Sequence, residues 1–106
     1  MTVQWRGPSV VLRIAGEIDM TTAGRLEEAV ALALTNEPRR LVLDLSDVAF
    51  FSSAGISTLV ATREATCGRT GFAVVTGDAV FRSLKLTGLD VDLTIYSSVD
   101  DALAPG

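Results

Sequence analysis

Leu41-Val42-Leu43-Asp44-Leu45 constrains this chain more than any other stretch: a short, almost continuous apolar run between two segments with helical spacing. Such a run is the pattern of a strand buried on both faces. Before it, Leu26, Val30, Ala33 and Leu34 recur at i, i+4, i+7 and i+8, one apolar stripe of an amphipathic helix that Asn36 and Pro38 end. Thr21 or Thr22 serves as the N-cap of that helix, and Glu27 and Glu28 stand toward the favourable end of its dipole. After the run, Phe50-Phe51 leads into a polar break, Ser52-Ser53, and a second helix follows with Ile56, Leu59 and Val60 on one face.

The alternation extends over the whole sequence. Val3–Trp5 and Val10–Ala15 read as strands joined by a turn at Gly7-Pro8, and Gly16-Glu17-Ile18-Asp19 closes the second of them. Gly68 and Gly71 bracket the turn into a strand at Phe72–Val75. A third helix carries Val80, Phe81 and Leu84, with Gly88 at the position that favours a left-handed backbone. Leu93–Tyr96 is a last strand, and Ser98 with Asp101 resembles a capping box opening a short helix through Leu103. The class is therefore α/β, with helices packed on a central sheet. Leu12, Ile14, Val42, Leu43, Leu59, Val74 and Leu84 are expected to share one core.

Composition narrows the function. The 106 residues suit one domain, 1–106, with no repeat or linker. A net charge of −4 disfavours a nucleic-acid binder, which needs a concentrated basic surface. The absence of histidine removes Ser–His and Cys–His nucleophilic pairs and the commonest zinc sites. No metal site and no cofactor are predicted. Cys67 stands alone, so no intrachain disulfide forms; it is expected to be a small buried hydrophobe. Neither a signal peptide nor a membrane-length apolar run is visible, which makes the cytoplasm the default compartment. Glu27-Glu28 and Asp100-Asp101 are adjacent on helices and do not face each other, so no two-carboxylate catalytic site is expected. Arg39-Arg40, Arg63 and Arg69 read as a solvated rim, and Gly68-Arg69-Thr70-Gly71 is too short for a phosphate loop.

One segment stands apart, Leu43 to Ile56. It is read as a buried strand, a turn, two aromatic anchors, and two hydroxyls at a helix N-terminus, where unpaired N–H groups and the dipole suit a phosphate. From spacing alone, Ser52 or Ser53 serves equally as a simple N-cap.

The ordered motifs of the chain resemble those of the STAS family, in particular bacterial anti-sigma factor antagonists. They are Gly16-Glu17-Ile18-Asp19, Asp44-Leu45-Ser46-Asp47-Val48-Ala49-Phe50, Ser52-Ser53-Ala54-Gly55-Ile56, Leu84-Lys85-Leu86-Thr87-Gly88-Leu89 and Ser98-Val99-Asp100-Asp101-Ala102-Leu103. The resemblance implies a single STAS-type domain, a central mixed sheet of about five strands with about four helices on it. It also implies a partner switch rather than an enzyme. The unphosphorylated domain binds an anti-sigma factor with serine kinase activity and so frees a sigma factor. Phosphorylation at Ser53 breaks the complex, and a PP2C-type phosphatase resets it. The implied partner-binding residues are Asp19, Ser52, Ser53, Ala54 and Gly55. Ser52 replaces the family's usual acidic residue, which leaves a second role open: a non-phosphorylated STAS scaffold or accessory subunit, in a stressosome or a lipid-transport complex. Asp44 and Asp47 are assigned structural turn hydrogen bonds.

Overall fold

The computed structural model describes residues 1–104. Among them are five strands and four helices, as the resemblance implied. They run β1 (Thr2–Arg6), β2 (Ser9–Ile18), α1 (Met20–Leu34), β3 (Arg40–Phe51), α2 (Ser53–Thr66), β4 (Gly71–Thr76), α3 (Asp78–Leu86), β5 (Ile95–Tyr96) and α4 (Val99–Leu103). The strands form one sheet in sequence order; β1 is antiparallel to β2, and β2 to β5 are mutually parallel.

Sequential order has a consequence for packing. Crossovers between parallel strands are right-handed, so successive crossovers in one direction place their helices on one face. Leu26 and Val30 of α1, Leu59 of α2 and Val80 and Leu84 of α3 accordingly pack with Val10, Leu12, Leu41, Leu43, Leu45 and Val74. The opposite face holds a smaller cluster, Val11, Val42, Ala73 and Val75, under Ala102 of α4. The single core expected from sequence is therefore two. Side chains alternate along a strand, so Val42 points away from Leu41 and Leu43.

Other details depart from the sequence reading. The third strand does not turn at Ser46-Asp47 but continues to Phe51, with register shifts on the paired β2 between Arg13 and Ala15 and between Gly16 and Glu17. Gly16 takes φ +90 there, a backbone that suits glycine at a bulge. The last strand shrinks to Ile95–Tyr96, with Leu93 buried outside the ladder. The buried stripe of α2 is Gly55, Thr58, Leu59, Thr62 and Thr66 rather than Ile56, Leu59 and Val60. Each threonine hydroxyl donates to the carbonyl four residues back, at 3.1, 2.7 and 2.9 Å, which satisfies it and leaves its methyl to pack. Cys67 is exposed, because the chain leaves the helix there. Phe81 is likewise exposed.

Two helix ends lie where the sequence placed them, although at the second only the Ser98 half of the expected capping box forms. Gly88 has φ +79; its N–H donates to the Lys85 carbonyl at 3.2 Å and the Leu89 N–H to the Leu84 carbonyl at 3.0 Å, the paired bonds of a Schellman end. Ser98 caps α4, accepting from the Asp101 N–H at 3.2 Å.

Candidate partner-binding site at the start of the second helix

The site lies where β2 and β3 end side by side. Ile18 pairs with Phe51, and the Ser52 N–H donates to the Ile18 carbonyl at 2.9 Å. The next residues, Asp19 and Ser52, each cap a helix, so α1 and α2 begin at the same edge of the sheet.

Asp19, not Thr21 or Thr22, is the N-cap of α1. Its carboxylate accepts from the Thr21 and Thr22 N–H groups at 2.9 and 3.0 Å. The Thr22 hydroxyl returns the favour, accepting from the Asp19 N–H at 2.7 Å, a reciprocal box with threonine in the place usually held by Glu or Gln. The N–H and hydroxyl of Thr22, with the Thr21 N–H, hold the Asp19 carboxyl below the usual carboxylate range against the opposing effect of burial. The charge of Asp19 is thus committed to its own helix.

Ser52 is the N-cap of α2, half-buried and extended, and its hydroxyl accepts from the Gly55 N–H at 3.5 Å. Ser53 is the first helical residue and is exposed. Ala54 follows, half-buried. Gly55 is buried, out of reach of a partner surface: a Cβ on it would stand 2.8 Å from Ile18 Cγ2 and 2.9 Å from two ring atoms of Phe51. Its place in the motif is steric. It lets the first turn of α2 sit directly on the paired strand ends and so fixes the height of Ser53 above the sheet.

Three neighbouring features differ from the sequence reading or were not singled out by it. Phe50, read as an anchor, is 53% exposed while Phe51 is buried, because adjacent strand residues face opposite ways. Met20 opens α1 and is 86% exposed. Between α1 and α2 lies a shallow cleft of about 390 Å³ lined by Met20, Ala23, Gly24, Glu27, Ala54, Ser57 and Thr58. Met20 is thus exposed at the start of α1, and the cleft between the two helices reaches Ala54, the residue after Ser53. The signal for Met20 was its place directly after Asp19, outside the apolar stripe of α1.

Asp44, assigned turn hydrogen bonds from sequence, lies buried inside β3, with Oδ2 2.9 Å from Arg13 Nε. Its Oδ1 accepts from the Ser46 hydroxyl at 2.6 Å and the Ser46 N–H at 3.1 Å. Burial alone would raise its pKa, but Ser46 and Arg13 outweigh burial and hold it below the usual value. Asp47 is exposed. Among the described residues no helix is long and apolar enough to cross a membrane, and no group of three or more His, Cys, Asp or Glu could hold a metal ion.

The comparisons agree with this geometry. The STAS domain profile matches residues 1–102. The chain is 40% identical to the anti-sigma-F factor antagonist RsfB of Mycobacterium tuberculosis over 104 residues, covering 97% of this chain and 85% of that protein. It is 33% identical over 78 residues to an anti-sigma-B factor antagonist of Listeria monocytogenes, covering 72% of this chain and 68% of the relative. The crystal structure of an anti-sigma factor antagonist from Mycobacterium paratuberculosis superposes with a TM-score of 0.91 at 43% identity, covering 96% and 88% of the two chains. The chain belongs to the STAS domain family, and its relatives there are anti-sigma factor antagonists.

Proposed function

We propose that this protein is an anti-sigma factor antagonist that binds an anti-sigma factor with serine kinase activity while unphosphorylated. Holding that kinase frees a sigma factor; phosphorylation of Ser53 releases the kinase, and a PP2C-type phosphatase restores the first state. The domain itself performs no catalysis, and it acts in the cytoplasm with its partners.

The observation that carries the reading is the difference between the two serines. The Ser52 hydroxyl is engaged as a helix cap, whereas Ser53 stands exposed at the first helical position, at the sheet edge where Asp19 caps α1 and next to Ala54. A phosphate there adds roughly −1.5 to −2 charge at neutral pH. The helix end accommodates that charge in the free domain. Covering it with a partner's apolar surface, without a cation to pair it, costs several kcal/mol. Phosphorylation is therefore expected to break binding and leave the fold intact.

The test is retention and labelling. Ser53→Ala should take no phosphate from the kinase and should hold it in a pull-down, while Ser53→Asp should lose it and melt within a few degrees of wild type. Phosphate mapped to Ser52 by fragmentation mass spectrometry, or undiminished labelling of Ser53→Ala, overturns the assignment.

A further inference from the structure

The far end of the sheet carries a second feature, unconnected with Ser53. Arg6 pairs with Ser9, Ser9 with Arg40, and Arg40 with Gly71, so these four residues form one row where β1 ends and β2, β3 and β4 begin. Arg6, Arg39 and Arg40 line a cleft of about 620 Å³ there, together with Pro8, Ser9, Gly71 and Leu103. Among the described residues, no Asp or Glu lines it. Among the described residues the one ion pair is Arg13 with Asp44, so none of these three guanidinium groups has a carboxylate within 4.0 Å. Among the described residues, three like charges thus line one cleft with no carboxylate beside them, on a chain whose net charge is −4.

The cleft is also held in shape. Arg40 Nη1 donates to the Ala102 and Ala104 carbonyls at 2.7 and 3.1 Å, which anchors one side of its fork on the end of α4. Gly71 lies beside the same side chain: a Cβ there would stand 3.6 Å from Arg40 Nε. The Arg39 N–H donates to the Pro8 carbonyl at 2.8 Å, and its carbonyl accepts from the Gly71 N–H at 2.9 Å.

We propose that this cleft docks an acidic peptide segment of a partner protein. Guanidinium forks match carboxylates in two-point hydrogen bonds, and the chain offers several donors preset around one concave space. Nucleic acid fits less well. Its backbone needs a long basic stripe, and the acidic remainder of this chain repels it. Pro8 and Leu103 give apolar contact that suits a peptide's side chains. The twelve-residue strand β3 runs between this cleft and Ser52-Ser53, so the two surfaces lie at its opposite ends. Both surfaces can be occupied at once.

The test is fluorescence anisotropy with a labelled hexaglutamate peptide in about 150 mM salt, where long-range attraction is screened. The wild-type chain should bind it saturably, and Arg6→Ala/Arg39→Ala should weaken binding at least about ten-fold with an unchanged melting temperature, since both side chains are exposed. Gly71→Val, which narrows the cleft beside Arg40 without removing a charge, should weaken it too. Ser53→Asp should bind within about two-fold of wild type. Four results each overturn the proposal: no saturable binding, undiminished affinity in the double variant, an oligonucleotide bound more tightly than the peptide through the same arginines, or a Ser53→Asp loss as large as theirs. Only the first three bear on the cleft without touching the Ser53 reading.

Discussion

Gly55→Ala tests how the site is built. The added methyl would meet Ile18 Cγ2 at 2.8 Å and the Phe51 ring at 2.9 Å, distances that real Cβ contacts do not keep. Neither neighbour yields freely: Ile18 is branched at Cβ and 1% exposed, and Phe51 is 6% exposed. Overpacking of this kind costs about 1–3 kcal/mol. Alanine recovers part of that, up to about 1 kcal/mol, through its better helix propensity. The net expectation is a loss of about 1–2 kcal/mol, which corresponds to a fall in melting temperature of roughly 4–10 °C for a domain of this size. Urea unfolding should show a lower midpoint with an unchanged slope, because the same surface is exposed on unfolding. A variant as stable as wild type, or more stable, would refute the close seating of α2 on the strand ends. At an ordinary exposed helical position the same substitution stabilises, so the sign alone decides.

Three further outcomes are expected. Leu43→Ala, at a fully buried position of β3, should cost about 2–5 kcal/mol in denaturant melts; a cost under about 0.5 kcal/mol means the strand is not packed as described. Glu37 has φ +49, a left-handed backbone that disfavours any residue with a Cβ, so Glu37→Gly should raise stability by about 0.5–1 kcal/mol, read as a higher urea midpoint. The folded pKa of Asp44 is depressed, so its contribution to stability is complete above the unfolded carboxyl pKa near 4 and is lost as pH falls through the folded value. Asp44→Asn should therefore lose less stability than wild type between about pH 5 and pH 2, and an equal acid loss in both would count against the role given to Ser46 and Arg13.

What was legible in the sequence followed apolarity and glycine. The runs at Leu41–Leu45 and Phe72–Val75 and the stripe Leu26-Val30-Ala33 announced strands and a helix because burial on a fixed period leaves a direct mark. Gly88 announced a helix end because few residues tolerate its backbone. The helix start at Ser52-Ser53 was readable for the same local reason, the change from β-branched and aromatic residues to small hydroxyls. Features that depend on tertiary context stayed hidden. The buried face of α2 is threonine-rich, and only the helix backbone's spare carbonyls make those hydroxyls compatible with burial. Which of Phe50 and Phe51 points inward is set by the register of β3 against a bulged β2, and no local pattern states that. That Asp19 rather than Thr21 or Thr22 caps α1 was not readable until its hydrogen bonds to Thr21 and Thr22 were visible.

The two ends of this sheet differ for a topological reason. With strands in sequence order and right-handed crossovers, α1, α2 and α3 must cover one face, and every parallel strand delivers a helix N-terminus to the same edge. That edge collects partial positive charge, unpaired N–H groups and short capping side chains, so Asp19, Ser52 and Ser53 are placed together by connectivity before any side chain chooses a partner. The opposite edge receives helix C-termini and the loops that open β3 and β4. Cations are the favoured neighbours of exposed carbonyls, and Arg40 meets them directly at the end of α4. The other face has only α4, five residues long, to cover it. Its beginning therefore stays open beside β1, where the short helix leaves room for the arginine cleft. One strand order thus yields a hydroxyl-bearing edge suited to gaining an anion and a guanidinium-bearing edge suited to meeting one, and β3, whose charge at Asp44 is neutralised internally by Arg13, joins them as a rigid spacer.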